Sequence, residues 1–511
     1  MNRRRFLLST TAVAAASAYA PLSRAASEIQ IELTLRDDSD GPRVPLTYTG
    51  LSYELAQLST PTFFSEDNTD LVAYFRLLSP NGVLRLGGNT SEFCWFRANA
   101  STPEPTLRVP EGNLDANWMP HQLFALPPAS IDALAGFLRA TGWRLIYGLN
   151  FGNSTPQTAA GEAAYVAEKI GDRLEFFQIG NEPDLYTKAS NGTRPAGWSF
   201  ADYVREWTGF AEAIAAKVPS ARFGGPDVAA SSDWVTRVSA DVPALIASRL
   251  VALTGHYYAM GPPDDPHVTI ERLLAGDPKV AQATKEIVAA ARAPQRIYRM
   301  SEGNSCYRGG KPGMSNAFAA ALWAGDYMLE LASLGCAGVN LHGGRSEFLT
   351  AGLGGHTPGM DSAKAPQTVR NGYYSPIQSE VGRAVKAMPA FYGMMLADQF
   401  AGCTMMHVEC DWKGVNATAY AARGPDGVRV AVLNKDAEAA LRIAVRGGLG
   451  SGSVRVWRLE GPRLDATEDV TLAGAEIRDH AQWIPQAERV DVRDGIARIR
   501  VPAASAVLVF W

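Results

Sequence analysis

Between about residue 46 and residue 395 the chain repeats one pattern of apolar and polar positions. A short run rich in β-branched or aromatic residues, the mark of a buried strand, ends in a polar or glycine cluster. A longer Ala/Leu-rich segment with helical spacing then follows. Eight such runs occur in order: "LTYTGLSYE", "GVLRLGGNTSE", "WRLIYGLNFGN", "LEFFQIGNEPD", "ARFGGPDVA", "LTGHYYAMG", "RIYRMSEGNS" and "AGVNLHGG". Helices are predicted between them at "LVAYFRLLSP", "SIDALAGFLRATG", "AAYVAEKIG", "SFADYVREWTGFAEAIAAKVP" and "SNAFAAALWAGDYMLELASLG", and after them at "EVGRAVKAMPAFYGMMLADQF". Eight β/α units in succession predict an α/β protein built on a closed (β/α)8 TIM barrel. A doubly wound open sheet would carry a phosphate loop after its first strand, and no GxGxxG or Walker pattern stands there.

From residue 396 to 511 the texture changes to "GVRVAVLNK", "LRIAVRG", "SVRVWRLE", "ARIRVP" and "SAVLVFW", separated by Gly, Pro and Asp turns. This predicts a smaller antiparallel β-sandwich. Residues 27–45 contain "SEIQIELTLRD", whose alternation matches the sandwich, and they are expected to add a strand to it. The catalytic barrel is thus expected over residues 46–395.

A barrel gathers the carboxyl ends of its strands at one face, where sites form. The tails of these runs are polar: Glu54, Asn89, Asn150, Asn181, Glu182, Asp227, His256, Tyr257, Glu302 and His342. Glu182 ends the fourth run and Glu302 the seventh, so they face each other across the barrel mouth. Two such carboxyls suit glycoside hydrolysis, one protonating the leaving oxygen while the other attacks carbon or activates water. Asn181 beside the acid reads either as a sugar ligand or as a turn residue. Tyr257 reads either as a donor that keeps Glu302 ionised or as a barrel-filling aromatic. Glu182, poorer in donors, is expected to hold the higher pKa.

Composition narrows the partners. With 46% hydrophobic and 20% charged residues and a formal net charge of -4, the chain has no basic excess to draw nucleic acid or an anionic membrane. Residues 1–26, "MNRRRFLLSTTAVAAASAYAPLSRAA", read as an export signal in which Arg3-Arg4-Arg5-Phe6-Leu7 resembles the twin-arginine signature. A periplasmic or secreted location follows as an expectation. Five cysteines and seven histidines lack zinc-like spacing, so no metal or cofactor is expected. Cys403 and Cys410 either pair or remain packed thiols. Cys306, near Glu302 in sequence, has no base partner and reads as a packed thiol.

"IGNEPD" with "MSEGNS" resembles the fourth- and seventh-strand signature of the retaining barrel glycosidases. "YTGLSYELAQLS", "GVLRLGGNTSEF", "GHYY", "EGNSCYRGG" and "GVNLHGG" together resemble glycoside hydrolase family 79, the β-glucuronidase and heparanase family. The resemblance implies that Glu182 is the acid/base and Glu302 the nucleophile. It implies that Tyr307, Gly372 and Tyr373 hold the sugar carboxylate, with Tyr374 an equally available neighbour, and that Glu54 and Asn89 hold hydroxyls. Such a pocket binds an anion through hydroxyls and backbone amides; Arg345 and Arg308 are nearby candidates for a direct ion pair, though they read rather as solvated surface residues. "GHYY" departs from the family in having Gly255 where several relatives carry histidine. The sequons at 89–91, 99–101 and 191–193 are not read as glycosylation sites in an exported bacterial-type chain.

The resulting expectation is a metal-independent, retaining exo-β-glucuronidase acting on a glucuronic-acid-containing glycoside or oligosaccharide. The segments 98–118 and 343–376 would wall its pocket. The alternatives are an endo-acting enzyme on a uronic-acid polymer, a clan member with a neutral substrate, and a non-catalytic carbohydrate-binding protein.

Overall fold

In the computed structural model, residues 28–36, 40–108, 123–188, 193–353, 372–447 and 452–511 are described. The expected leader over 1–26, residues 109–118 of one expected wall, 354–371 of the other and the first two residues of the 191–193 sequon lie outside them.

All eight apolar runs form parallel strands of one closed barrel. In order they are Thr49–Glu54, Val83–Gly87, Arg144–Leu149, Leu174–Ile179, Phe223–Val228, Leu250–Tyr258, Ile297–Asn304 and Val339–Gly343, the last pairing back on the first. Near-continuous burial along these strands is what a parallel sheet covered on both faces demands. Low in the barrel, Arg299 Nε donates to Asn340 Oδ1 at 2.7 Å, and Arg299 Nη1 donates to the Thr47 carbonyl at 3.0 Å. A Cβ on Gly338 would sit 2.1 Å from Arg299 Nη1, so that glycine makes room for the guanidinium.

Two helices are apolar all round because protein covers every face. Phe318–Ser333 and Pro389–Asp398 pack on each other and form the layer between barrel and β-domain. Their close approach requires Gly393, where a Cβ would lie 2.0 Å from the Ala321 carbonyl oxygen. The second helix is shorter than the expected 380–400. Pro389 occupies its first turn, and the preceding Lys386–Ala387 pairs with Ile377–Gln378 instead.

The β-domain is a ten-stranded sheet that closes on itself, since Gly452–Glu460 pairs with both Glu488–Arg493 and Ser505–Phe510. Ile29–Arg36 lies within it, antiparallel to Thr404–Cys410 and parallel to Leu441–Arg446, the one parallel pairing in an otherwise antiparallel arrangement. The run "VAVL" is apolar on both faces for a reason. Val430 and Val432 fill the domain's own core, while Ala431 and Leu433 join the core shared with the barrel. At that junction Asp326 accepts from Thr418 Oγ1 at 2.6 Å and from the Tyr420 hydroxyl at 2.8 Å, and pairs with Lys435.

All five cysteines are free thiols, Cys403 and Cys410 included. Cys306 is fully buried, and burial pushes its thiol up to about 12. No helix among the described residues is long and apolar enough to cross a membrane.

Candidate active site

The polar strand ends converge on a cavity of about 730 Å³ lined by Glu54, Asn89, Glu182, Tyr258, Glu302, Tyr307, Arg308, His342 and Tyr374, with Leu185, Lys188, Ala229, Ala230, Leu349 and Leu353 completing it. Glu182 follows the end of the fourth strand and Glu302 lies on the seventh, and both line this cavity. One carboxylate oxygen of each, with a nitrogen of His256, lies within 4.8 Å of the others.

Beneath them sits a group that the sequence reading passed over. Arg85, 1% exposed, rises from the middle of the second strand into the barrel axis. Its Nη1 donates to Glu302 Oε2 and to Ser52 Oγ at 3.0 Å. Its Nη2 donates to Asp227 Oδ2 at 2.6 Å and Asn181 Oδ1 at 2.8 Å, and its Nε to Gln178 Oε1 at 3.0 Å. A buried cation is tolerable only when paired and saturated with acceptors, and four other strands supply them. The signal was a lone arginine in the otherwise apolar "VLRLG".

Glu302 receives a second donor at its other oxygen. The Tyr258 hydroxyl lies 2.7 Å from Oε1, and His342 Nδ1 stands 3.7 Å from Oε2. Burial would raise the Glu302 carboxyl, but His342, His256, Arg85 and the Tyr258 hydrogen bond hold it well below the usual carboxylate range. Glu182 moves the other way. Its burial raises it, against His256, and the facing Glu302 and Asp184 charges push it further up. His256 Nδ1 lies 3.1 Å from Glu182 Oε1, and its Nε2 stands 3.1 Å from Asp227 Oδ1, at an angle poorer than a hydrogen bond's. Burial pulls the imidazole down, yet Asp227 and Glu302 raise it to about 10, so it is a cation at neutral pH.

The donor role expected of Tyr257 belongs to its neighbour. Successive side chains on a strand point to opposite faces. His256 and Tyr258 face the barrel axis, whereas Tyr257 stacks on Tyr327 at 5.5 Å and donates to Asp277 Oδ2 at 3.2 Å in the helix layer. A similar correction applies to Gly372 and Tyr373. Neither lines the cavity. Gly372, at φ 54°, packs against Leu349 and Ser375, and Tyr373 is half-buried. Tyr374 takes that position, its carbonyl accepting from Asn304 Nδ2 at 3.0 Å and its ring 6.2 Å from Tyr258.

Glu54 Oε2 accepts from Thr90 N at 2.8 Å and Thr90 Oγ1 at 2.7 Å, which leaves Oε1 toward His342 Nε2 at 3.5 Å. Gly88, at φ 69°, is required beside it, because a Cβ there would lie 2.5 Å from the carboxylate. Asn89 donates to the Gly352 carbonyl at 3.0 Å and accepts from Asn181 Nδ2 at 3.0 Å. Asn181 itself is 2% exposed and does not line the cavity; its backbone N–H donates to Glu92 Oε1 at 2.7 Å. Tyr307 lines the cavity edge-on to Tyr258. Arg345 faces away, its Nε donating to the Ser379 carbonyl at 3.2 Å and its guanidinium lying over the Phe63 ring.

Glu182, His256 and Glu302 are also the one grouping among the described residues with the spacing of metal ligands. Arg85 and Tyr258 already engage both oxygens of Glu302 and the charged imidazole engages Glu182 Oε1, which disfavours a cation there.

Residues 419–508 match the Glycosyl hydrolase family 79 C-terminal beta domain. A β-glucuronidase of Aspergillus niger is 27% identical over 347 residues, covering 63% of this chain and 62% of that protein. One from Neurospora crassa is 25% identical over 361 residues, covering 64% and 62%. Among solved structures, a 4-O-α-L-rhamnosyl-β-D-glucuronidase from Fusarium oxysporum superposes with a TM-score of 0.71 at 18% identity, over 94% of this chain and all of that one. The chain is thus similar to glycoside hydrolase family 79 through its C-terminal domain, and to the A. niger and N. crassa β-glucuronidases over 63–64% of its length. The matched stretch spans under two thirds of the length of these β-glucuronidases. The barrel with its closed β-domain also resembles a family 51 arabinofuranosidase from Xanthomonas axonopodis pv. citri, with a TM-score of 0.63 at 16% identity over 94% of this chain and 99% of that one, a likeness of fold alone.

Proposed function

We propose that this chain is an exported, retaining exo-β-glucuronidase of glycoside hydrolase family 79. The observation that carries the mechanism is the pair of carboxylates, one oxygen of each lying within 4.8 Å of one of the other's, with opposite pKa displacements. Retaining glycosidases hold their carboxyls about 5–5.5 Å apart, whereas inversion needs about 6.5–9.5 Å to admit water between acid and sugar.

Glu302, kept ionised, attacks the anomeric carbon while protonated Glu182 gives its proton to the leaving oxygen; the C–O bond breaks and a glycosyl ester forms on Glu302. His256 holds Glu182 Oε1 and leaves Oε2 to carry the proton. Esterification removes the Glu302 charge that helped raise Glu182, so Glu182 becomes a carboxylate able to deprotonate the attacking water. Water then adds at the anomeric carbon, Glu302 leaves, and two inversions give net retention.

The β-glucuronidases of A. niger and N. crassa support the substrate. Tyr307 and Tyr374 supply hydroxyls for the sugar carboxylate, with Arg308 beside them, and Glu54, Asn89 and His342 face the ring hydroxyls. Exo action is supported by the segment Leu349–Leu353, which packs on Glu54 and Asn89 and walls the cavity beyond them. The twin-arginine-like leader supports export. Hydrolysis of an aryl β-glucuronide beside the aryl β-glucoside, followed by NMR of the first-formed anomer, tests sugar and stereochemistry together. Preference for the glucoside, or α-glucuronate as first product, would contradict the proposal.

A further inference from the structure

The motif Asn181-Glu182-Pro183-Asp184 carries a second acid that the reaction above does not use. Asp184 does not line the cavity. Its Oδ1 accepts from Ala229 N at 2.9 Å, and its Oδ2 accepts from Ala230 N and Ser231 N, each at 3.1 Å. Three consecutive amides of the fifth-strand loop are thus gathered on one carboxylate of the fourth-strand turn.

The same two segments meet at a second point. Glu182 N donates to the Asp227 carbonyl at 2.8 Å. Both residues have left-handed backbones, Glu182 at φ 50° and Asp227 at φ 63°, a region that non-glycine residues seldom adopt. Such conformations persist only where the surroundings over-determine them. The Asp184 carboxylate does that here, two residues from Glu182 on one side and two from Asp227 on the other. Ala229 and Ala230, which it fixes, line the cavity together with Leu185 and Glu182. Leu185 lies on the short 3-10 turn Pro183–Leu185 that follows Glu182 directly.

We propose that Asp184 is a positioning residue for acid catalysis: it locks the fourth- and fifth-strand loops together, so that the Glu182 carboxyl is aimed at the leaving oxygen and the adjoining apolar wall receives the leaving group. This rests on the assignment of Glu182 as acid/base. A general acid contributes about 10²–10⁴-fold, and misalignment forfeits part of it. The loss falls on leaving groups that need a proton and spares those that depart as stable anions.

The test compares kcat/KM for phenyl and 2,4-dinitrophenyl β-glucuronide in the wild-type chain, D184N and D184A, with thermal unfolding of each. The expected result is a fall of about tenfold or more on the phenyl substrate and under about threefold on the dinitrophenyl one, with D184N between wild type and D184A. Equal falls on both substrates, or none on the phenyl one, would overturn the proposal whatever happens to Tm. If D184A fails to fold, D184N carries the comparison. Wild-type turnover of the dinitrophenyl glucuronide tests the substrate reading separately. Its absence would overturn that reading, and the same leaving-group ratio on aryl glycosides the enzyme does cleave would still decide the role of Asp184.

Discussion

The Tyr258 hydroxyl donates to Glu302 Oε1 at 2.7 Å, on the side of the carboxylate opposite the Arg85 guanidinium. Both oxygens of Glu302 are therefore held, and the carboxylate can neither rotate nor take up a proton easily. A hydrogen bond to a charged group is worth about 1.5–3 kcal/mol. Y258F should lower kcat/KM on an aryl glucuronide by about 10- to 100-fold, with its pH profile displaced upward at the acid limb. Y257F provides the control. It loses only the Asp277 contact outside the barrel and should stay within about threefold of wild type, as substitutions away from the site do. Steady-state kinetics of the two variants side by side distinguish them.

Arg85 should matter first for stability. Removing one partner of a buried ion pair typically costs about 3–5 kcal/mol, because the other charge stays buried and unpaired. R85M would strand Asp227, whose side chain is 1% exposed, as well as Glu302. Urea unfolding should show a loss of that order. D227N combined with R85M should recover part of it, and an R85M protein as stable as wild type would show that the guanidinium is not the hub described.

His256 gives the pH dependence its sign. Its pKa is 6.5 when unperturbed and about 10 in the folded chain, raised by Asp227 and Glu302 against burial. The stability it contributes is fully present below pH 6.5 and is lost as pH rises through about 10. Asp227 and Glu302 are depressed, so their contribution is present above their ordinary values and disappears as pH falls through the lowered ones. H256Q should flatten the alkaline decline in unfolding free energy. It should also move the alkaline limb of kcat/KM upward, since His256 is what lowers Glu182. A downward move would contradict that electrostatic assignment.

The barrel was legible because each buried parallel strand leaves the same trace, a short apolar run with a polar tail. The two glutamates were legible for the same reason. What the chain could not specify locally was facing. "GHYY" offers adjacent tyrosines, and only the strand's pleat decides that Tyr258 turns inward and Tyr257 outward. Arg85 is harder still. A charge inside an apolar strand becomes affordable only through Ser52, Gln178, Asn181, Asp227 and Glu302, which four other strands deliver. At Gly372 and Tyr373 no strand periodicity anchors the register, so the sequence leaves Tyr373 and Tyr374 equally available, and it is Tyr374 that lines the cavity.

Glu302 is proposed as the residue that bonds to the sugar. Incubation with 2-deoxy-2-fluoro-β-glucuronyl fluoride, digestion and peptide mass spectrometry tests it most directly. The expected result is time-dependent inactivation with one fluoroglucuronyl adduct on the peptide containing Glu302, and none in E302Q. An adduct on Glu182, or steady turnover of the fluoride with no adduct on Glu302, would contradict it.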